Sequence, residues 1–290
     1  MLKAIGQMEL ASQFVNGRIP SFMAIYFIDE PHSSAYPRLM HTHVTHLELY
    51  FVKGGTGSFV IGDRLYPITE GDLLIFNAGM AHGENPEDDR ASSSYCCAFK
   101  DLWIPSLPPN HLITSNTNPV IHCGSYAPYM RGILDMLYDL AAKDGTKSIC
   151  FGLAMSVLLF ALHMSEKASP RVVSNAELVA SQVKEYLDTN YTKTVDLELI
   201  GKALGMSPYY ISHVFKNVIG YSPIKYLTLR RIGEAQSLLQ NSEMTAADIS
   251  EYLGYCNPCQ FNTMFKKYVG LTPLQYRQCF VIKEQTYLAE

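Results

Sequence analysis

The chain has 290 residues, of which 48% are hydrophobic and 17% charged, with a formal net charge of −4. That length suits two domains, and the composition is that of a globular protein with a sizeable core rather than of a strongly basic nucleic-acid binder. Seven cysteines, odd in number and irregularly spaced, exclude a disulfide framework and fit a reducing cytoplasm. The charge is unevenly divided: residues 1–165 hold 10 Lys+Arg and 15 Asp+Glu, net −5, whereas residues 175–290 hold 11 of each. The C-terminal part is less acidic without being basic, so its non-specific affinity for DNA is expected to be modest.

The first residues, MLKAIGQMELASQF, contain no basic segment followed by an apolar run, so no secretory signal is expected. Short apolar runs then alternate with turn residues. FMAIYFI (22–28), LELYFV (47–52), SFVI (58–61), LYPI (65–68), DLLIF (72–76) and SYCCAF (94–99) are strand candidates, punctuated by Gly54-Gly55, Gly62-Asp63 and Gly71-Asp72. Strands at this spacing suggest a sandwich or small barrel.

Two motifs sharpen that reading. His41-Thr-His43 is followed by Glu48 and Gly55, and Gly71 is followed by Asn77-Ala-Gly79 and His82. The pair resembles the cupin family, whose motifs are H-x-H-x(3,4)-E-x(6)-G and G-x(5)-P-x-G-x(2)-H. Two positions depart from it: Ala35 stands where a glycine precedes the first motif, and Asn77 replaces the proline of the second. On a strand, His41 and His43 would share one face and point into the barrel, where Glu48 and His82 could converge. Three imidazoles and a carboxylate suit a divalent metal, Zn, Mn, Fe or Ni. The competing reading is that His41, His43, Glu48, Tyr50 and His82 line a polar pocket for a small organic effector. Tyr50 keeps the parity of Glu48, and polar groups mixed with aromatics suit a sugar or another polyol. His46 reads as a turn or surface residue that could substitute for a ligand.

Met130, Ile133, Leu134, Leu137, Tyr138 and Ala141 recur at helical spacing and predict an amphipathic helix near 128–142. Ile149–Met164 is nearly all apolar but short for a membrane span, so a buried or dimer-forming helix is expected. Packing against the β part and two-fold self-association both explain it. EKASPRVVSN (166–175) reads as an interdomain linker.

The C-terminal part contains a repeat. FKNVIGYSPIKY (215–226) and FKKYVGLTPLQY (265–276) both fit F-K-x-x-x-G-x-[S/T]-P-x-x-Y at a displacement of 50. Each follows a helix–glycine–helix pattern. Asp196 caps a helix with Ile200 and Leu204 inward, Gly205 supplies the turn, and Ser207-Pro208 opens the next helix with Ile211, Val214 and Phe215 in the core. In the second copy Thr245 and Asp248 form a capping box, Ile249 and Leu253 point inward, Gly254 turns, and Asn257-Pro258 opens a helix with Phe261, Met264 and Phe265 in the core. Two helix-turn-helix units, 196–217 and 245–267, joined by a helix over 226–239, could enter neighbouring major-groove segments.

LGMSPYYISHVFK (204–216), GYSPIKYLTLRRIGEAQSLL (220–239) and ISEYLGYCNPCQFNTMFKKYVGLTPLQYR (249–277) resemble the AraC/XylS family of transcription regulators. A cupin-like N-terminus is a known partner of that domain. The resemblance implies a cytoplasmic, effector-responsive regulator, often a dimer and often an activator working with RNA polymerase. It also implies that Tyr209, Ser212 and His213 in the first unit and Cys259, Asn262 and Thr263 in the second read bases. Arginine often stands in the family where His213 and Thr263 stand here, which shifts the expectation toward shorter contacts and shape readout. Lys216, Lys266 and Lys267 are phosphate candidates, the alternative being a solvated helix face. Arg230-Arg231 could touch phosphate, although Arg231 fits an internal structural position. The C-x-x-C of Cys256 and Cys259 lacks further zinc-spaced ligands and reads as accidental.

The expected organisation is α+β multidomain. A cupin-like effector-binding β domain (1–125) precedes a helical dimerisation segment (126–165), a linker (166–175) and an all-α DNA-binding domain with two helix-turn-helix units (176–290). The expected function is sequence-specific transcription regulation, with double-stranded DNA, a small effector (a carbohydrate is one candidate) and a second copy of the chain as partners, and no membrane. A cupin-type metalloenzyme with a helical tail is the alternative. A DNA-binding module with an empty barrel, driven by protein partners, is a third reading.

Overall fold

Seven strands occur among the described residues of the computed structural model, which are 13–35, 37–88, 90–168 and 173–279. Residues 1–12 of the stretch read for a leader, and Pro170 of the expected linker, lie outside them. The strands are β1 (Ser21–Ile28), β2 (Leu47–Ile61), β3 (Arg64–Thr69), β4 (Asp72–Phe76), β5 (His82–Glu84), β6 (Ser92–Lys100) and β7 (Val120–His122). They run β1-β6-β2-β4-β7, with β3 and β5 pairing the far half of β2, and every pairing is antiparallel.

The strands expected at 47–52 and 58–61 are one strand. Gly54-Gly55 does not end β2 but turns it from one half of the barrel to the other. The register against β6 slips between Val52 and Gly54. Gly55 takes φ +80°, and a Cβ there would lie 2.3 Å from the Ala91 carbonyl oxygen. A bulge with a glycine at its corner bends a strand without breaking its pairing. Side chains alternate along β2. Leu47, Leu49 and Phe51 join the core beneath two helices, α2 (Ala127–Ala141) and α3 (Lys147–Ser165). Tyr50 and Val52 face the barrel interior with Phe59, Ile61, Leu74 and Phe76. Glu48 shares their parity. A short helix, α1 (Glu30–Ala35), joins β1 to the segment before β2.

α3 is long and apolar enough to cross a membrane by length and composition alone. Eight of its side chains, from Cys150 to Met164, are nevertheless buried in the core shared with the sheet. Ile149 and Phe151 remain exposed.

The C-terminal helices are α4 (Asn175–Asn190), α5 (Leu197–Leu204), α6 (Pro208–Ile219), α7 (Pro223–Asn241), α8 (Ala246–Tyr252) and α9 (Pro258–Val269), with residues 273–279 also helical. Their boundaries follow from their caps. Asp196, Ser207, Ser222, Thr245 and Asn257 each accept a backbone N–H from the first turn of the helix they open. Gly205, Gly220 and Gly270 end α5, α6 and α9 in the left-handed conformation, which a side chain would oppose. Phe215, Tyr226, Phe261, Phe265 and Tyr276, including the Phe and Tyr of both repeat copies, fill one core. Leu39 and Met40 of the β part are buried in that same core.

Candidate nucleic-acid interface and effector site

Each recognition helix sets its side chains by the same rule. Proline at the first helical turn costs no hydrogen bond, because that N–H has no partner within the helix. The capping Ser207 or Asn257 then fixes where the turn begins. From there Ile211 and Phe215 on α6, and Phe261 and Phe265 on α9, are fully buried. That burial leaves the opposite faces in solvent. On α6, Tyr209 is 82% exposed and its ring stacks on His213 at 6.1 Å. His213 is exposed, Ser212 half-buried, and Lys216 exposed in the last turn. On α9, Cys259, Asn262, Thr263, Lys266 and Lys267 are all exposed. The Thr263 hydroxyl donates to the Cys259 carbonyl at 2.9 Å, so its oxygen keeps accepting capacity outward.

Arg230 is removed from the phosphate candidates. It is 7% exposed, pairs with Glu234 at 2.7 Å and stacks over Tyr191. Burial works to lower its pKa, but Glu234 and Asp188 raise it. Arg231 donates to the carbonyls of Tyr191 and Lys193, both at 2.6 Å, and ties the turn after α4 to α7. Both arginines hold the scaffold together.

In the barrel, His41, His43, Glu48 and His82 converge, their potential ligand atoms all within 4.8 Å of one another. His41 and His43 do not lie on a regular strand. His41 forms an isolated bridge with His82, and His43 follows in irregular chain. The convergence therefore comes from the bridge rather than from strand alternation. His46, expected at the surface, also turns inward: its Nε2 stands 3.5 Å from Glu48, and its ring lies 4.3 Å from that of His43.

The hydrogen bonds assign the tautomers. Nδ1 of His41 lies 2.7 Å from the Leu39 carbonyl, and Nδ1 of His82 lies 2.9 Å from that of Met80. A carbonyl only accepts, so both Nδ1 atoms carry protons and each Nε2 is turned to the cluster. Burial holds His41 well below the usual histidine range and lowers His43 to about 4. Both are thus neutral at physiological pH. Burial works to raise the Glu48 carboxyl, but hydrogen bonds from His46 and His82 outweigh it and hold the group ionised. His82 Nε2 stands 3.2 Å from Glu48. That geometry leaves Nε2 and the carboxylate oxygen facing one another, an arrangement a shared cation would suit.

Ligand atoms about 2.1 Å from a common ion in a tetrahedral site lie about 3.4 Å apart, so the four groups would draw in toward a cation by roughly an ångström. The donor set fits a divalent transition metal.

Tyr50 does face inward beside Glu48, but its ring packs on Phe59 at 5.0 Å and Phe76 at 6.2 Å, and Phe76 stacks on His82 at 4.0 Å. Packed aromatics therefore fill the interior beside the cluster. A cavity of about 60 Å³ opens elsewhere, lined by Ser33, Pro37, Ser58, Glu84, Asp88 and Arg90 among others. None of the five expected effector residues lines it. Burial raises the Glu84 carboxyl to about 8, and Ser33 donates to it at 3.1 Å. Sequence reasoning missed this cavity because strand residues of β2, β3 and β6 meet α1 and the loop after β5 there, and that meeting depends on long-range pairing rather than on any local motif.

Comparison with known proteins matches a helix-turn-helix domain to residues 200–278 and a cupin domain to residues 26–93. An uncharacterised HTH-type transcriptional regulator of Escherichia coli, YdiP, is 27% identical over 96% of this chain and 93% of its own length. The lactose operon transcription activator of Staphylococcus xylosus is 24% identical over 82% of this chain and 85% of its own. Among solved structures, the C-terminal domain of AraT, a response regulator from Geobacillus stearothermophilus, is 32% identical over 37% of this chain and 88% of that one, with a TM-score of 0.35.

Proposed function

The chain belongs to the AraC family of helix-turn-helix transcription regulators, with a cupin domain ahead of the helix-turn-helix domain, and from that premise we propose a sequence-specific activator controlled by a small effector. The observation that carries the reading is the pair of exposed, unlike faces on α6 and α9, held on one scaffold by α7. Tyr209, Ser212 and His213 read one segment of the site, and Cys259, Asn262 and Thr263 read the next. Lys216, Lys266 and Lys267 meet phosphates. Fluorescence anisotropy with the gene's own upstream DNA tests this. Specific binding at a physiological salt concentration is expected, and binding no tighter than to scrambled DNA would reject the reading.

His41, His43, Glu48 and His82 would hold a divalent cation, the reading that the tautomers and the His82–Glu48 contact favour. Its chemistry in a regulator is that of a structural or sensory ion. Isothermal titration with Zn²⁺ should show one site per chain that His82→Ala abolishes. The organic effector is a small polar molecule, with carbohydrates the first class to screen. The polar lining of the cavity supports this, as does a relative named for the lactose operon. The alternative reading, a cupin metalloenzyme, predicts turnover by the metal-loaded protein, and it leaves the paired recognition helices without a role. The exposed Ile149 and Phe151 on α3, with Tyr129 and Met136 on α2, support a two-fold dimer through this layer, which light scattering would test. A regulator of this kind works in the cytoplasm, where RNA polymerase is its further partner.

A further inference from the structure

Residues 37–41 lie between the proposed cation site and the DNA-binding helices, and they are held from both sides. On the barrel side, His41 and His82 exchange backbone hydrogen bonds of 2.9 and 3.0 Å, and the Glu84 N–H donates to the Arg38 carbonyl at 2.8 Å. Gly83 sits within that pair, where a Cβ would lie 2.6 Å from the Met40 nitrogen. On the other side is α7. Gln236, 1% exposed, accepts the Leu39 N–H at 3.1 Å and donates to the Pro37 carbonyl at 3.3 Å. Its side-chain amide stands in for the neighbouring strand that this edge lacks. Arg38 donates to the Ser237 hydroxyl at 3.0 Å. A Cβ at Gly233 would lie 2.0 Å from the Met40 carbonyl oxygen. Gly233, Gln236 and Ser237, spaced i, i+3 and i+4, form one face of α7.

Leu39 therefore bonds in two directions. Its N–H goes to Gln236 on α7, and its carbonyl takes the Nδ1 proton of His41, a member of the cluster. We propose that residues 37–41 are a strap through which a divalent cation bound by His41, His43, Glu48 and His82 fixes the docking of α7. The proposal rests on the cation reading above and names the regulation of that site. His41 and His82 would hold the cation through the ring nitrogens turned to the cluster, and that would fix both rings. Their Nδ1 hydrogen bonds then lock the Leu39 and Met80 carbonyls, and with them the edge that Gln236 reads. α7 is the spacer between the two recognition helices. Their faces stay exposed while α7 is docked, so docking sets their mutual orientation rather than covering them. Without the cation, the strap is held on the barrel side by its pairing with a three-residue strand, and α7 exchanges between docked and released arrangements. This supplies the two-state element that coupling between distant sites requires.

Hydrogen exchange on the full chain, with and without Zn²⁺, tests the strap. In the wild type, Zn²⁺ should slow exchange in peptides covering 39–48 and 230–240, each by at least about fivefold, the lower end of ordinary coupling between sites. In Gly233→Ala and Gln236→Leu, Zn²⁺ should still protect 39–48 but no longer 230–240. Alanine is the better helix former, so lost protection in Gly233→Ala cannot come from a weakened α7. If Zn²⁺ binds and α7 does not respond, or responds equally in both variants, the strap is refuted while the cation site stands. If titration shows no Zn²⁺ bound, or binding unchanged in His82→Ala, the cation site falls and the strap with it.

Discussion

The two helix-turn-helix units are copies in their buried half and strangers in their exposed half. Both open the recognition helix with a capping side chain and a proline, bury a pair of core residues one turn apart ending in Phe215 or Phe265, and stop at a left-handed glycine. Outward, the first presents an aromatic pair, Tyr209 over His213, and the second presents short polar groups, Asn262 and Thr263. They also differ in attachment. The first unit and the start of α7 touch the barrel through Gly220 beside Leu65 and an ion pair between Lys225 and Glu87. The residues the two copies share are those that fold each unit, and the residues in which they differ lie on the exposed faces proposed to read DNA.

The largest effect should test the sameness of the copies. Phe215→Ala and Phe265→Ala each remove a fully buried ring and should cost about 3–5 kcal/mol of unfolding free energy. Denaturant titration should find the two losses alike, and a large gap between them would break the equivalence of the units. The next effect should expose the difference. Asn262 can pair bidentately with adenine, so Asn262→Ala should weaken specific DNA binding by about 1–3 kcal/mol, roughly 5- to 150-fold. Tyr209→Ala should cost less, because it removes packing rather than a paired hydrogen bond. Competition anisotropy against scrambled DNA would check both. The caps return to sameness: Ser207→Ala and Asn257→Ala should each cost about 1 kcal/mol of stability, read as similar shifts in Tm. Smallest of all, Lys216→Gln and Lys266→Gln should each lower the salt dependence of binding by about 0.9 in log–log slope, with no change in sequence preference.

What was legible in the sequence follows the same division. The helical part was legible nearly to its caps, because capping residues, prolines and glycines act locally and stand beside the elements they bound. The histidine cluster was legible as a motif, but not in how it assembles. His41 reaches the site through a bridge to His82, and His46 arrives from a loop, so both positions depend on long-range pairing. β2 was split at Gly54-Gly55 because glycine marks a bend and a break equally. The contact of Gly233 with the strap leaves a partial sign in the sequence. A glycine in mid-helix costs about 1 kcal/mol against alanine, which points to a close backbone approach, yet nothing near it says which segment approaches. Gln236 lies 1% exposed between the two parts of the molecule, and nothing in its local sequence distinguishes it from a surface glutamine.

The central claim is that two unlike faces read one asymmetric site. It is tested most directly by measuring the affinity of the wild type, Tyr209→Ala and Asn262→Ala for every single-base variant of the bound upstream sequence. The expected result is that each substitution relaxes base preference over its own segment, the two segments lying about one helical turn apart. Preferences that stay intact in both variants, or relax over the same bases, would contradict the account.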